Sequence, residues 1–390
     1  MLIRPQPTFL VTMGIKCGHA ATYSLKGLSL NQIYTIAKQR SIAYHAESVA
    51  PPSPTIDIDA SWLVRSKTSI SPSNKIGHLM RVSICFVKAG FNVVIVCDGD
   101  SRHHSKRATT IRIADSYRNR ILFLKNQNRI LHLYTTARVA GRSNTDDEKE
   151  ELQQLSKETK TLEKKLANII YDTGNEFFTN ILDKVTCFKA SLVNCVGSGD
   201  ITVIQAEQQA DSCIAARANQ YISHMIITAD SDQAVLLGSR CVSIKSYRLN
   251  NNDGTMDKFD IFCASKNTID TIANYISLPL SPNNYIAAKY VLFDTIDDYK
   301  VRALIAVGIG CDVYHSGVKN VGPKTMHDYL MKLKQDGFHM SSYYYHIIKM
   351  YCRLHFKTNK NALSDIIAEE TQIEQELAFE KMINIFVESY

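Results

Sequence analysis

The chain is poor in the residues that punctuate or rigidify unusual folds: one tryptophan, 17 glycines and 9 prolines in 390 residues. That is too little Gly and Pro for a collagen-like or low-complexity chain. Long apolar runs are missing as well. A membrane-spanning helix needs about 20 apolar residues in succession, and the best run, Val82 to Cys97, is broken by Lys88. No apolar core follows the lone Arg4 near the N-terminus, so a secretory signal is not expected. The ten cysteines are scattered from Cys17 to Cys352 without one C-x-x-C pair. Their spacing argues against a zinc ribbon and a disulfide framework, and for a reducing compartment. Each cysteine reads by default as a small buried apolar residue. What is present is ordinary for a chain that buries a core, 45% apolar and 21% charged. Its length suits two domains or one large domain with insertions.

The net charge of +7 is unevenly spread. Residues 102–142 hold ten Lys/Arg (Arg102, Lys106, Arg107, Arg112, Arg118, Arg120, Lys125, Arg129, Arg138 and Arg142) and one acid, Asp115. The rest of the chain is slightly acidic. One basic segment thus makes the whole protein basic, which points to a polyanion partner, most often nucleic acid. A solvated helix face is the competing reading, and charge alone does not separate the two.

Strands alternate with helices. Thr55–Asp59 reads as a short strand, and Val93–Cys97 as an apolar, β-branched strand of the kind buried in parallel sheets. Met225–Ala229 is a third; Val203–Gln205 and Cys241–Ile244 are weaker. Ile76 to Lys88 has helical spacing, with Ala89-Gly90 as its stop. This order predicts an α/β layer architecture, with a mostly parallel central sheet flanked by helices. A long insertion separates the second and third strands. In it Leu152, Leu155, Thr159, Leu162, Leu166 and Ile169 follow a 3,4,3,4,3 spacing, a coiled-coil-like seam. Either the basic helix and this one fold into a projecting hairpin, or the seam packs on the main body. From Thr325 onward the tail reads helical, and its last part is acidic (Glu369, Glu370, Glu374, Glu376, Glu380). Asn250–Gly254 reads as a loop.

The three main strands all end in aspartate: Asp59, Asp98 in C-D-G-D, and Asp230 with Asp232 in T-A-D-S-D. Sites in open α/β sheets form outside the carboxyl ends of strands. Carboxylates crowded there repel and call for cations. Oxygen-only donors suit Mg²⁺ or Mn²⁺, and a pair of such ions is the usual machinery of phosphodiester hydrolysis. A single strand-end Asp is as well explained by a helix cap or a turn; three of them with a D-x-D are not. Glu207 and Asp211, just before an Ala-rich helix, stand i, i+4 and are expected to share a helix face; capping of the helix start is the competing reading. Gly308 to Asp312 closes an apolar helix. Gly317 to Thr325 (G-V-K-N-V-G-P-K-T) is a glycine turn leading into a helix start, a phosphate-binding arrangement.

In this order the pieces resemble the flap endonuclease (XPG-type) family of structure-specific 5′ nucleases, which have a PIN-like fold. The matching motifs are Met13-Gly14-Ile15, Ile58-Asp59-Ala60-Ser61, His78-Leu79-Met80, Val96-Cys97-Asp98-Gly99, Gln209-Ala210-Asp211, Thr228 to Asp232, and Gly310-Cys311-Asp312 through Gly322-Pro323-Lys324. They span roughly residues 13–330. The resemblance implies a 1–12 extension, an N-terminal nuclease region at 13–101 and a basic helical arch at 102–170. An internal nuclease region at 171–250 follows, then the end of the core with a helix–hairpin–helix at 251–330, and a helical tail at 331–390. It implies two Mg²⁺ ions, with Mn²⁺ as the alternative, held or supported by Asp59, Asp98, Asp211, Asp230, Asp232 and Asp312, and K⁺ at the helix–hairpin–helix. Lys106 and Arg112 fall near the family's gateway residues, which steer the scissile phosphate and stabilise transition-state charge. DNA contacts are implied for Gly14, Arg102, Arg107, Arg118 and Arg120, and for Gly317, Lys319, Gly322, Lys324 and Thr325. An intracellular setting follows, the nucleus or a viral replication site.

The chain departs from the family at three points. Gln209 stands where a Glu is expected; Gln keeps an oxygen ligand and loses the charge, and Glu207, two positions earlier, would substitute only with a shift of the backbone. Val313 replaces a Tyr. No sliding-clamp peptide (Q-x-x-I/L-x-x-F-F) is present in the tail. The expected activity is Mg²⁺-dependent cleavage of flapped or branched DNA in replication or repair. A nucleic-acid-binding scaffold with a weakened site and an RNA 5′-to-3′ exonuclease are the alternatives, since phosphate-gripping turns and metals do not distinguish DNA from RNA.

Overall fold

The computed structural model describes residues 18–46, 52–66, 72–99, 107–170, 175–192, 199–207, 209–250, 255–311, 317–318, 320–356 and, in the tail, 377, 380, 381 and 384. Among the described residues eight strands form one sheet. They are β1 (Tyr23–Leu28), β2 (Thr55–Asp59), β3 (Asn92–Cys97), β4 (Ile201–Gln205), β5 (Met225–Ile227), β6 (Val242–Leu249), β7 (Met256–Cys263) and β8 (Tyr285–Ile286). Their order across the sheet is β4-β3-β2-β5-β6-β7-β1-β8. The first five are parallel, and β7, β1 and β8 add an antiparallel flank. The α/β expectation with a mostly parallel sheet holds.

Among the described residues the helices are α1 (Leu30–Tyr44), α2 (Ala60–Ser66), α3 (Pro72–Lys88), α4 (Arg107–Val139), α5 (Asp146–Ile170), α6 (Asn175–Leu192), α7 (Ala210–Asn219), α8 (Asp232–Leu237), α9 (Lys266–Tyr275), α10 (Tyr299–Ile309), α11 (Pro323–Gln335) and α12 (Tyr343–Phe356). Gly90, at φ +96°, ends α3 as its sequence position suggested. The alternation of β3 divides the core in two. Val93, Ile95 and Cys97 join the cluster beneath α1, α2, α3, α6 and α9, while Val94 and Val96 join the one beneath α7, α8, α10, α11 and α12. On β2, Ile56 and Ile58 point to the first cluster. Asp57 and Asp59 therefore point to the second face. Cys97, Cys241, Cys263 and Cys311 are buried, as the default reading expects, whereas Cys85 and Cys213 are half-buried and Cys187 is exposed.

Helices α4 and α5 pack on each other as a hairpin, with Leu133 and Ala137 of α4 buried, along with Leu162 of α5. The turn between them contains Gly141 at φ +61°. Of the two readings of the heptad seam, the hairpin is the one found. Its exposed side is laced by ion pairs: Arg129 to Glu151 at 2.8 Å and Arg142 to Glu148 at 2.7 Å. At 33 residues, α4 is roughly 50 Å long. Among the described residues no helix is long and apolar enough to cross a membrane.

Candidate active site

The site is built where β3, β2 and β5 end side by side. Parallel neighbours lie about 4.8 Å apart, and Asp59 is in register with Val96, two residues before Asp98. Asp59 is 6% exposed. Its Oδ1 accepts the Trp62 N–H at 2.9 Å and its Oδ2 accepts the Thr228 hydroxyl at 3.3 Å. The same Thr228 oxygen accepts the Asp230 N–H at 3.1 Å, and Asp230 Oδ1 accepts the Asp232 N–H at 3.0 Å. A chain of bonds thus runs from the end of β2 through the end of β5 into the first turn of α8, where Asp232 is fully buried.

Asp98 makes the other link. Its Oδ2 accepts the Ser61 hydroxyl at 2.7 Å, and its Oδ1 accepts the Ala210 N–H at 2.9 Å, which caps α7 from outside. The next residue, Gly99, packs against the backbone of 206–207. A Cβ there would fall 2.3 Å from the Ala206 carbonyl oxygen and 2.4 Å from that of Glu207, so only glycine fits. Asp211 accepts the Gln233 amide N–H at 3.2 Å. Burial, then the charges of Asp98 and Asp59, push the Cys97 thiol up to about 12.

Gln209, the residue in the expected carboxylate position, is the N-cap of α7 and is 9% exposed. Its Oε1 is buried without a hydrogen-bond partner. Glu207 lies ahead of α7, which starts at Ala210, and its side chain is exposed. The expectation that Glu207 and Asp211 share a helix face is therefore corrected. The helix begins after the Gly99 contact, three residues later than their spacing assumed.

Three contributors escaped the sequence reading. Thr228 and Ser61 lie inside motifs but carry no charge to draw attention. Tyr299, in the first turn of α10, has a buried hydroxyl without a hydrogen-bond partner. Burial raises its pKa, against the pull of the nearby Arg302 guanidinium, and the Asp232 carboxylate adds to the rise.

Asp312, Lys106, Gly14, Arg102 and Lys319 lie outside the described residues. Arg107 and Arg112 lie on α4, but their side chains are also outside the description, whereas Arg118 and Arg120 are exposed on that helix. Gly317 adopts φ +64°, and a Cβ there would come within 2.7 Å of the carbonyls of Gly308 and Ile309. With Val318 N–H donating to Gly308 O at 2.7 Å, the turn is clamped to the end of α10. Gly322 is the N-cap of α11, and Lys324 and Thr325 are exposed in its first turn.

Among the described residues no three His, Cys, Asp or Glu side chains converge closely enough to hold a metal ion. The donor chemistry nevertheless fits a hard divalent cation. Every candidate ligand is an oxygen, and the Gln209 carbonyl oxygen is buried and unspent.

No protein-family model and no curated protein sequence matches the chain. Solved structures do. Human GEN1 in complex with Holliday junction DNA is 12% identical, with a TM-score of 0.37, covering 84% of this chain and 57% of that one. A eukaryotic junction-resolving enzyme GEN-1 binding cesium is 11% identical, with a TM-score of 0.39, covering 79% and 47%. The catalytic core of Rad2 in complex with DNA substrate is 15% identical, with a TM-score of 0.38, covering 92% and 80%. The chain spans about half the length of the GEN1 proteins it matches. The chain is thus similar, at low identity, to solved structures of GEN1 and of the Rad2 catalytic core.

Proposed function

We propose that this protein is a divalent-metal-dependent phosphodiesterase that cuts flapped or branched DNA from the 5′ side. The observation that carries the reading is the bonded chain Asp59–Thr228–Asp230–Asp232, with Asp98 on the neighbouring strand, at the carboxyl edge of a parallel sheet. Asp59, Asp98, Asp230 and Asp232, with Gln209 and Asp211 from α7 and Asp312 after α10, would hold two Mg²⁺ ions, which lower the pKa of a bound water and offset charge on the phosphate. The chain's own groups do the rest. Thr228 and Ser61 fix the orientation of the carboxylates, so that little reorganisation is needed when charge develops. Lys106 and Arg112 steer the scissile phosphate. Arg102, Arg107, Arg118 and Arg120 draw the strand to the hairpin. Gly322 to Thr325, at a helix start, hold backbone phosphate without reading bases; K⁺ at that turn belongs to the same proposal.

The test is a panel of 5′-flap, nicked, blunt and four-way DNA with Mg²⁺. Cleavage of at least one branched substrate is expected, and Asp59→Ala and Asp230→Ala should each abolish it. No cleavage of any substrate, or cleavage that survives both substitutions, would overturn the reading. Gln209 supports a second one, a scaffold that binds branched DNA in a salt-sensitive way without turnover. That reading requires inactive wild-type protein, and cutting restored by Gln209→Glu would trace the loss to one residue.

A further inference from the structure

Helix α4 carries two seams. Asn126, Leu133 and Ala137 are buried on the side that faces α5. About half a turn away, Ile121, Leu124, Asn128, Leu131 and Thr135 follow a 3,4,3,4 spacing on the opposite side. That second seam is open: Ile121 is 57% exposed, Leu124 51% and Leu131 65%. Isolated surface apolar residues need no explanation, but a registered apolar row is an interaction surface. The polar Asn128 at its centre is a feature that sets register where two helices pair. Arg120, Lys125 and Arg138 flank it, all exposed. A second α4 would bring like charges together, so the occupant has to be an acidic amphipathic helix.

The chain itself contains such a segment. Residues 361–390 hold seven acids and one base, against seven bases and one acid in α4. Ile366, Glu370, Ile373, Leu377, Glu380 and Asn384 repeat at 4,3,4,3,4 spacing. The four described tail residues, Leu377, Glu380, Lys381 and Asn384, are all exposed. Glu380 lies near enough to Tyr344 to raise that hydroxyl's pKa, after the larger effect of burial. Leu377 in the tail and Ile121, Leu124 and Leu131 on α4 are all open to solvent in one molecule, so the pairing joins two copies.

We propose that the outer seam of α4 docks the acidic C-terminal segment, 361–390, of a second copy of this chain, a head-to-tail contact driven by the apolar rows and guided by opposite charge. Such a contact does not close on itself unless the geometry forms a ring. Neither row belongs to the carboxylate site.

Sedimentation velocity of the full chain over a concentration series, at low and high salt, tests it. The expected result is a mass above the monomer that grows with concentration and falls back as salt rises. Leu124→Glu with Leu131→Glu should give a monomer with unchanged circular dichroism, and so should Glu370→Lys with Glu380→Lys. Mixing the Glu370→Lys/Glu380→Lys protein with an Arg120→Glu/Arg138→Glu protein should restore association. Should a seam variant fold poorly, anisotropy of a labelled 361–390 peptide on the wild-type chain replaces it, with binding expected and weakened at least tenfold in the Arg120→Glu/Arg138→Glu protein. A strict monomer at all concentrations with no peptide binding overturns the proposal. So does association that reversal of the tail charges leaves intact, which would assign the seam to another occupant.

Discussion

The two ends of the parallel sheet are built from the same strands and treat charge in opposite ways. At the amino end, Arg40 is 8% exposed and spends its guanidinium on the carbonyls of His224 and Arg240 and on the Tyr44 hydroxyl. His224 accepts the Thr55 N–H at 2.9 Å, and burial with the Arg40 charge pushes its pKa down to about 4. Halfway along β2, the fully buried Asp57 is held by a bidentate bond from Arg217 at 2.8 and 3.2 Å. Two residues later, at the carboxyl end, Asp59 is oriented by an N–H and a hydroxyl. The same side chain on the same face of one strand is thus gripped by a guanidinium in the interior, while at the edge a backbone N–H and a hydroxyl help to orient it. The first arrangement fixes the fold; the second aims a carboxylate at the sheet edge, where the proposed metal site lies.

The largest effect separates those two aspartates. Asp59→Asn keeps the size and the hydrogen-bonding oxygen and removes a charge. Cleavage should fall on the order of 10²–10³-fold, the scale of one electrostatic contact to a transition state, with a melting temperature close to that of the wild type. A matching loss of stability would mean that Asp59 is structural like Asp57, and the comparison would break. Arg217→Ala is the counterpart. It strands a buried carboxylate whose pKa burial already pushes up against the pull of Arg217, and it should cost about 3–5 kcal/mol in urea denaturation. Adding Asp57→Asn should recover part of that loss, because the charge left behind is the main cost.

That pair also shows how far the residues could be read in advance. The β-branched run Val93–Cys97 and the strand-end aspartates are legible because a local pattern carries them. Asp57 is indistinguishable from Asp59 by type and spacing; only Arg217, 160 residues away, sorts them. Tyr299 was hidden for the same reason, since its neighbour Asp232 is remote in the chain. Strands β1 and β7 were missed because Lys26, Asp257 and Lys258 interrupt their apolar alternation. They stand on the antiparallel flank, where the buried-run signature of parallel strands does not apply. The hairpin seam was visible as a period, and the basic helix was one of its two candidate partners, but periodicity alone does not say which of them it faces.

A smaller effect sharpens the amino end. His224 is neutral in the fold, with a pKa of about 4 against about 6.5 in an unfolded chain. Between those values the unfolded state binds the extra proton, so stability rises with pH from about 4 to 6.5 and is flat above. Lowering the pH from 7.5 to 4 should therefore remove up to about 3 kcal/mol through this residue. In His224→Gln, which keeps an acceptor for the Thr55 N–H, the slope of stability between pH 4 and 6.5 should flatten. An unchanged slope would assign the acid sensitivity to other groups.

The smallest effect belongs to the hairpin, where charge meets charge in water. Arg129 and Glu151 form a two-point pair at 2.8 and 3.0 Å, and the Glu151 pKa is lowered chiefly by that bond. Both side chains are nearly half exposed, so solvent and salt screen the attraction, and holding two long side chains in one geometry offsets what remains. Arg129→Gln should leave the melting temperature unchanged within error, in low and high salt alike. It should instead weaken DNA binding modestly and lower its salt dependence, because a phosphate-attracting charge is gone. If Arg129→Gln melts the hairpin, seen as a loss of helical signal, then ion pairs and not the burial of Leu133, Ala137 and Leu162 hold it, and the hairpin would have to be grouped with the paired interior of the sheet.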